Sequence, residues 1–276
     1  LIAAVLGCTF QQAKNIEKQY SRPDPDNLAS ALEALGVTEA PPIIKKQPLT
    51  LPDQFRYISL GGTRSTSRFW QYIADRGFHG NDPGRVCSRY RLRCAVTGRY
   101  KDRIIFPFYH DKELVGWTGR AISNPQNAPR YLSSGPEIKE TVFNYDSLRW
   151  GGRNQILVIA EGPFDALKLD YYGHHDGDAD MRATCIFGTS MTLDQIWILN
   201  KLSRNYKHTY VLLDPDAIEA SFAAKDWLTQ RNISVAQVPD GIEDPGAMTP
   251  KEVFDFAKQL HEEADERKKH IPRRKA

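Results

Sequence analysis

The chain has 276 residues, 41% hydrophobic and 26% charged, a balance that builds a folded core and excludes a disordered or fibrous polypeptide. A net charge of +3 does not define a partner, but Arg85, Arg89, Arg91, Arg93, Arg99, Lys101 and Arg103 crowd one stretch of the chain. Cys8, Cys87, Cys94 and Cys185 include no CxxC pair, which argues against a disulfide scaffold and a structural zinc site, and reduced thiols fit the cytoplasm. The apolar opening Leu1-Ile2-Ala3-Ala4-Val5-Leu6 is too short to span a bilayer, so no membrane partner is expected. A start at Leu1 rather than Met predicts that upstream residues have been removed.

In chain order, the pattern predicts a helix over 1–20, stopped by Pro23 and Pro25, a short helix over 27–35, and an extended linker between Pro41 and Pro52. A helix over 66–77 ends at Gly77 and turns Phe69, Tyr72 and Ile73 to its apolar side. Residues 103–108 and 113–118 read as two strands joined by a turn at His110-Asp111-Lys112. From Gln155 onward strand and helix alternate: strands over 156–160, 184–187, 209–213 and 234–238, helices over 164–172, 193–202 and 217–231. Short connections and apolar strands predict a parallel sheet covered by helices on both faces. A last amphipathic helix over 251–266 opens with Thr249-Pro250 as cap and first-turn pair, and a basic tail runs from His270 to Ala276.

The chemistry is concentrated at strand ends. Ile156-Leu157-Val158-Ile159-Ala160 runs into Glu161-Gly162-Pro163-Phe164-Asp165, and Tyr210-Val211-Leu212-Leu213 runs into Asp214-Pro215-Asp216. Open parallel sheets carry their reactive groups at the carboxyl ends of strands, and carboxylate oxygens are the hard ligands that Mg²⁺ prefers, with phosphates and water completing its shell. Together with the basic stretch upstream, this points to metal-dependent chemistry on the phosphate of nucleic acid. Asp165 also fits a first-turn acid of the following helix, and Asp216 a cap for a helix beginning at Ala217; capping and metal binding are compatible.

These residues carry a resemblance. Glu161-Gly162-Pro163-Phe164-Asp165-Ala166-Leu167, followed by Leu212-Leu213-Asp214-Pro215-Asp216, resembles the Toprim domain shared by bacterial-type primases, type IA and type II topoisomerases, and some nucleases and recombination proteins. More narrowly, Asp102-Arg103-Ile104-Ile105-Phe106-Pro107, Gly116-Trp117-Thr118-Gly119-Arg120-Ala121-Ile122, Arg130-Tyr131-Leu132-Ser133, Phe187-Gly188-Thr189-Ser190-Met191-Thr192 and Asp244-Pro245 resemble the RNA-polymerase core of bacterial and phage DnaG-type primases. The likeness runs from Phe69 to Leu260. It implies an α/β fold, a Toprim domain with a mostly parallel sheet and covering helices, preceded by a basic α+β subdomain. The corresponding divisions are a helical lead and linker over 1–52, the basic subdomain over 53–150, the Toprim catalytic domain over 151–262 and a flexible basic tail over 263–276.

The resemblance further implies synthesis of short RNA primers from ribonucleoside triphosphates on a single-stranded DNA template, with Mg²⁺ or Mn²⁺ as cofactor. The setting would be the bacterial cytoplasm, or the host's for a phage protein, and a replicative helicase and a zinc-binding domain would be partners in cis or in trans. Glu161, Asp214 and Asp216 would be the catalytic and metal-binding carboxylates, with Asp165 and Asp244 as further candidates. Lys101, Arg103 and Arg120 would meet template or nucleotide, with Arg91 and Arg130 as further candidates, because the guanidinium fork grips two phosphate oxygens at once. The sequence departs from the family in having no glycine in Asp216-Ala217-Ile218-Glu219-Ala220, no zinc ribbon and no GxxxxGK[ST] loop, as expected of a catalytic core cut from, or working beside, a larger replication protein. Two other readings use the same residues: a Toprim nuclease or topoisomerase-like enzyme, and a non-catalytic single-stranded-DNA-binding replication module.

Blander roles are expected elsewhere. Trp70, Tyr72, Trp117, Trp150 and Trp197 should pack in the core or at the seam between the halves, and His110, His174 and His175 should lie in exposed loops. Lys45-Lys46 and Arg273-Arg274-Lys275 should be solvated charges, while Tyr90-Arg91 places an aromatic among cations, as single-strand contacts do.

Overall fold

The computed structural model describes residues 49–59, 63–123, 128–175, 180–242 and 244–269. The helices expected over 1–20 and 27–35, most of the linker, Cys8, Lys45-Lys46 and the tail from His270 lie outside the described residues.

The first half is an antiparallel sheet in the order β1-β2-β3-β4-β5: β1 Phe55–Tyr57, β2 Arg93–Ala95, β3 Arg103–His110, β4 Glu113–Ala121 and β5 Tyr131–Ser133. The hairpin expected around Asp111 is present, and its strands are longer than the apolar runs suggest. Asp111 and Lys112 both take left-handed backbone angles (φ 51° and 70°), the geometry a two-residue hairpin turn requires. Both of their amides donate to the carboxylate of Asp146 at 2.8 Å, which offsets the strain of non-glycine residues there. Helices α1 (Arg64–Asp75) and α2 (Asp82–Arg89) pack on the inner face of this sheet through Phe69, Ile73, Val86 and Cys87 against Cys94, Ile104, Phe106 and Phe108. The outer face carries a smaller cluster of Phe55, Ala95, Tyr100, Ile105 and Trp117. A single turn, α3 (Tyr145–Leu148), leads into the second half.

That half is a parallel sheet in the order β7-β6-β8-β9: β6 Ile156–Ala160, β7 Met181–Cys185, β8 His208–Leu212 and β9 Ile233–Val235. Along β6 every residue is fully buried; Ile156, Val158 and Ala160 face one core, Leu157 and Ile159 the other, as a strand covered on both sides must. Helices α4 (Pro163–His175) and α7 (Pro250–Lys269) cover the first face, and α5 (Leu193–Ser203) and α6 (Ile218–Trp227) the second. Because α4 also meets the inner face of the antiparallel sheet, it is buried almost all round, and one continuous core joins the two halves. Among the described residues no helix is long and apolar enough to cross a membrane.

Several boundaries move. The strand expected over 184–187 runs instead from Met181 to Cys185, since Arg182 interrupts the apolar run yet is buried in an ion pair with Asp170. The helix expected over 217–231 begins as a tight turn, Pro215–Ala217, and α6 stops at Trp227. Leu228 turns extended (φ −92°, ψ 124°), and the Thr229 amide donates to Asn200 Oδ1 of α5 at 2.7 Å. The strand expected over 234–238 shortens to β9. Asp216 caps nothing: Ala217 holds the cap position of α6, without a side-chain bond. Thr249 does cap α7, receiving the Glu252 amide while Glu252 accepts from the Thr249 amide at 2.7 Å.

Trp117 is buried, but Trp150 and Trp197 are 80% and 63% exposed, contrary to core packing, with Arg149 and Lys201 lying over their rings. His110 ends β3, half-buried and stacked on Tyr145 at 4.1 Å, and His174 is half-buried in α4, so neither is a loop histidine. Tyr90 is buried and donates to Asp170 at 2.7 Å, which removes it from any strand contact.

Candidate functional site

The order β7-β6-β8-β9 puts a topological switch point between β6 and β8, where the chain goes to one side for β7 and crosses back for β8. Glu161 leaves the end of β6 and Asp214 follows the end of β8, and the register pairs Ala160 with Leu212, so the two acids emerge side by side. Both are half-buried, Asp216 is exposed, and the Glu161 carboxylate accepts from the Asp214 amide. Burial and then the charges of Asp214 and Asp216 push the Glu161 carboxyl above its ordinary value. Burial, Asp244 and Asp216 do the same to Asp214, against a downward pull from Arg130.

A second tier lies behind. Asp165, in the first turn of α4, accepts from the Gly162 amide at 3.1 Å, so it steadies the helix start as well as facing the other acids. Burial, Asp244 and Asp214 push its carboxyl up to about 7, with the Gly162 amide and Arg76 opposing. A Cβ on Gly246 would stand 2.8 Å from Asp165 Oδ1 and 3.0 Å from Asp244 Oδ1, so only glycine lets these carboxylates sit as they do. One oxygen of Asp244 is buried without a partner. Arg76, from the end of α1, lies 5.2 Å over the Phe164 ring and beside this tier, and Lys168 donates to the Arg76 carbonyl. Burial and Arg76 lower the Lys168 ammonium to about 8.

Among the described residues no three His, Cys, Asp or Glu side chains form a ready cage for an ion. The donor set nevertheless fits Mg²⁺ or Mn²⁺ in kind: all oxygen, mutually repelling, and including the orphaned Asp244 oxygen. Such ions are held by one or two carboxylates and completed by substrate phosphate rather than by a closed protein cage.

The loop after β7 borders Glu161, with the Gly188 amide donating to the Glu161 carbonyl at 3.3 Å. Phe187 takes a left-handed backbone angle there (φ 59°), held by its ring against Phe108 at 4.5 Å. Lys139 reaches the same loop, donating to the Ser190 carbonyl at 3.3 Å.

The structure sorts the basic residues unequally. Arg130 is exposed and within electrostatic reach of Asp214. Arg103 is only 5% exposed and spends its guanidinium on the backbone carbonyls of Gly119, Arg130 and Pro129 at 3.0, 3.0 and 2.7 Å, so it is not disposed to meet phosphate and instead holds the segment that carries Arg130. Arg120, also 5% exposed, lies between Tyr131 at 4.8 Å and Phe164 at 5.9 Å, with its Nε unpartnered. Lys101 is exposed in the turn before β3, and Arg91 stacks on Tyr109. Sequence reasoning missed Arg76, Lys168 and Lys139: each is an isolated cation in an ordinary helix or turn, with no local signal of its tertiary neighbours.

Three comparisons bear on this arrangement. No protein-family model matches the chain. A DNA primase of Listeria innocua serovar 6a is 26% identical over 179 residues, 61% of this chain and 27% of the relative, and one of Listeria monocytogenes serovar 1/2a is 28% identical over 162 residues, 54% and 24%. The chain thus spans about a quarter of the length of these curated relatives. The primase fragment of the bacteriophage T7 primase-helicase protein matches in fold with a TM-score of 0.50 and 14% identity, covering 84% of each chain. These matches support a DnaG-type primase core. The mixed α/β architecture of this chain, with its parallel sheet and helices, agrees with the fold class expected from the sequence.

Proposed function

We propose that this chain is the catalytic core of a DNA primase, joining ribonucleoside triphosphates into short RNA primers on single-stranded DNA with Mg²⁺ or Mn²⁺. The observation that carries the reading is the emergence of Glu161 and Asp214, with Asp216 beyond them, at the switch point of the parallel sheet, faced by Arg130. Glu161, Asp214 and Asp216 would hold the metal, with Asp165 and Asp244 behind. When bound, the ion supplies positive charge to the α-phosphate and the departing pyrophosphate and lowers the barrier to attack by a 3′-hydroxyl. Arg130 orients the triphosphate from the opposite side, kept in place by the Arg103 clamp on its carbonyl. Arg120 and Tyr131 form the wall between the basic half and α4, and exposed Lys101 extends the positive path for the template. A replicative helicase and a zinc-binding domain are the proposed partners that choose where synthesis begins.

The test is ribonucleotide incorporation on single-stranded DNA with Mg²⁺ or Mn²⁺, from free nucleotides and from an annealed primer. Product that disappears in Asp214→Asn is the expected result. Folded protein that cleaves or relaxes DNA without incorporating nucleotide would sink the proposal, as would protein that binds single strands indifferently to Asp214→Asn and makes no product.

A further inference from the structure

Three cations of the basic run over residues 85–103 are taken up by the fold. Arg89 lies 3.5 Å from Asp170, Arg103 serves backbone carbonyls, and Arg85 faces Asp82. Arg91 and Arg93 are different. Arg93 lies 3.8 Å over the Tyr57 ring and Arg91 4.6 Å over the Tyr109 ring, and among the described residues neither is in an ion pair. Arg93 Nη1 donates to the carbonyls of Arg91 and Leu92 at 3.1 and 3.0 Å, which locks its plane.

The register puts these rings on one surface. Tyr57 pairs with Arg93, which pairs with Ile105, and Ile105 belongs to the outer face of the antiparallel sheet. Tyr109 pairs with Leu114, which packs on that same outer face. Tyr57 is 72% exposed on the edge strand β1, so Arg93 covers one side of its ring and leaves the other open. The acidic centre lies on the other side of that sheet, at the start of α4, which packs on the inner face.

We infer that Tyr57, Arg93, Arg91 and Tyr109 form a second contact for single-stranded nucleic acid, on the sheet face turned away from the reaction centre. The chemistry is that of a stacking platform: aromatic faces take up bases of any sequence, and guanidinium groups held by those rings neutralise the phosphates between them. The Tyr57 and Tyr109 rings stand two strands and four residues apart on that face, on the order of 16 Å, a span that a few nucleotides of single strand cover. Single strands are selected over duplex because only unpaired bases can be splayed onto the rings. The inference does not need the metal chemistry proposed above, and it is read by binding alone.

The experiment is fluorescence anisotropy of the full chain with labelled oligothymidylates of about 6 and about 16 nucleotides, lengths that bracket one and several contact sites. Wild type should bind the longer strand more tightly, and Tyr57→Ala should weaken that strand by about tenfold while Tyr57→Phe, which keeps the ring, does not. Arg91→Gln with Arg93→Gln should lower the slope of log affinity against log salt by about 1.4, two phosphates at 0.7 each. Oligouridylate measured in parallel identifies the strand held: whichever loses affinity in Tyr57→Ala is the ligand. Tyr57→Ala binding both lengths of both strands like wild type would overturn the inference, whether or not the protein makes primers. Tyr57 is exposed and outside the cores, so its replacement leaves the fold intact.

Discussion

Asp170 offers the sharpest test of how the two halves are joined. Its carboxylate, fully buried on α4, accepts from Arg182 Nε at 2.7 Å, the Ala183 amide at 3.1 Å, the Tyr90 hydroxyl at 2.7 Å and Asn144 Nδ2 at 3.2 Å. Burial alone would raise its carboxyl, but the charges of Arg182 and Arg89 and the hydrogen bonds from Arg182 and Tyr90 hold it below the usual range. Tyr90 follows α2 of the first half and Arg182 lies in β7 of the second, so one side chain ties both to α4. Asp170→Asn keeps the size and removes the charge, leaving Arg182 buried and unpaired, which costs about 3–5 kcal/mol. For a chain of this size that lowers the melting temperature by on the order of 10 °C. Replacing the ion pair by apolar residues, Asp170→Leu with Arg182→Met, should recover part of the loss, because it removes the stranded charge while the Tyr90 hydroxyl, the Ala183 amide and Asn144 lose their acceptor. Calorimetry and urea unfolding of the two variants measure both effects. A single variant melting within about 2 °C of wild type, or a double variant no better than the single, would refute the account.

Three further outcomes are expected. Asp214→Asn should lower ribonucleotide incorporation by at least about 100-fold; by relieving the repulsion that raises Glu161 and Asp165, it should also lift the metal-free melting temperature by on the order of 2 °C, readable by scanning fluorimetry. Arg103→Ala should free the Pro129 and Arg130 carbonyls, speed amide exchange around residues 129–132 and weaken nucleotide binding, with no comparable change in α5 or α6. His208, buried against Ser234, has its imidazolium pushed down to about 4 by burial and then by Arg267, Lys268 and Lys207. Its folded pKa lies below the unfolded value, so its contribution is intact above about pH 6.5 and is lost as pH falls from there toward 4, about 3 kcal/mol in all. His208→Gln should flatten that part of a stability–pH curve measured by urea unfolding.

Local pattern was enough to read the parallel half. Apolar runs of strand length, each ending in Glu161 or Asp214, announce buried strands and the place where chemistry concentrates, because period and strand-end position are properties of a few consecutive residues. Even there, Arg182 hid the start of β7, since a charged residue in a strand is legible only once its buried partner is known. In the antiparallel half only the helix over 66–77 and one hairpin are legible in the sequence, while β1, β2, β5 and α2 are short elements whose stability comes from neighbours distant in sequence. What the arginines do was decided by tertiary structure alone. Arg103 and Arg130 look alike in the sequence, yet one is turned inward onto three carbonyls and the other stands near Asp214. Arg93 ended on Tyr57 rather than beside Tyr90, because strand pairing brings residues 36 apart into one row. Charge and residue type are local, whereas direction and burial belong to the assembled sheet, and these determine whether a cation meets phosphate or backbone.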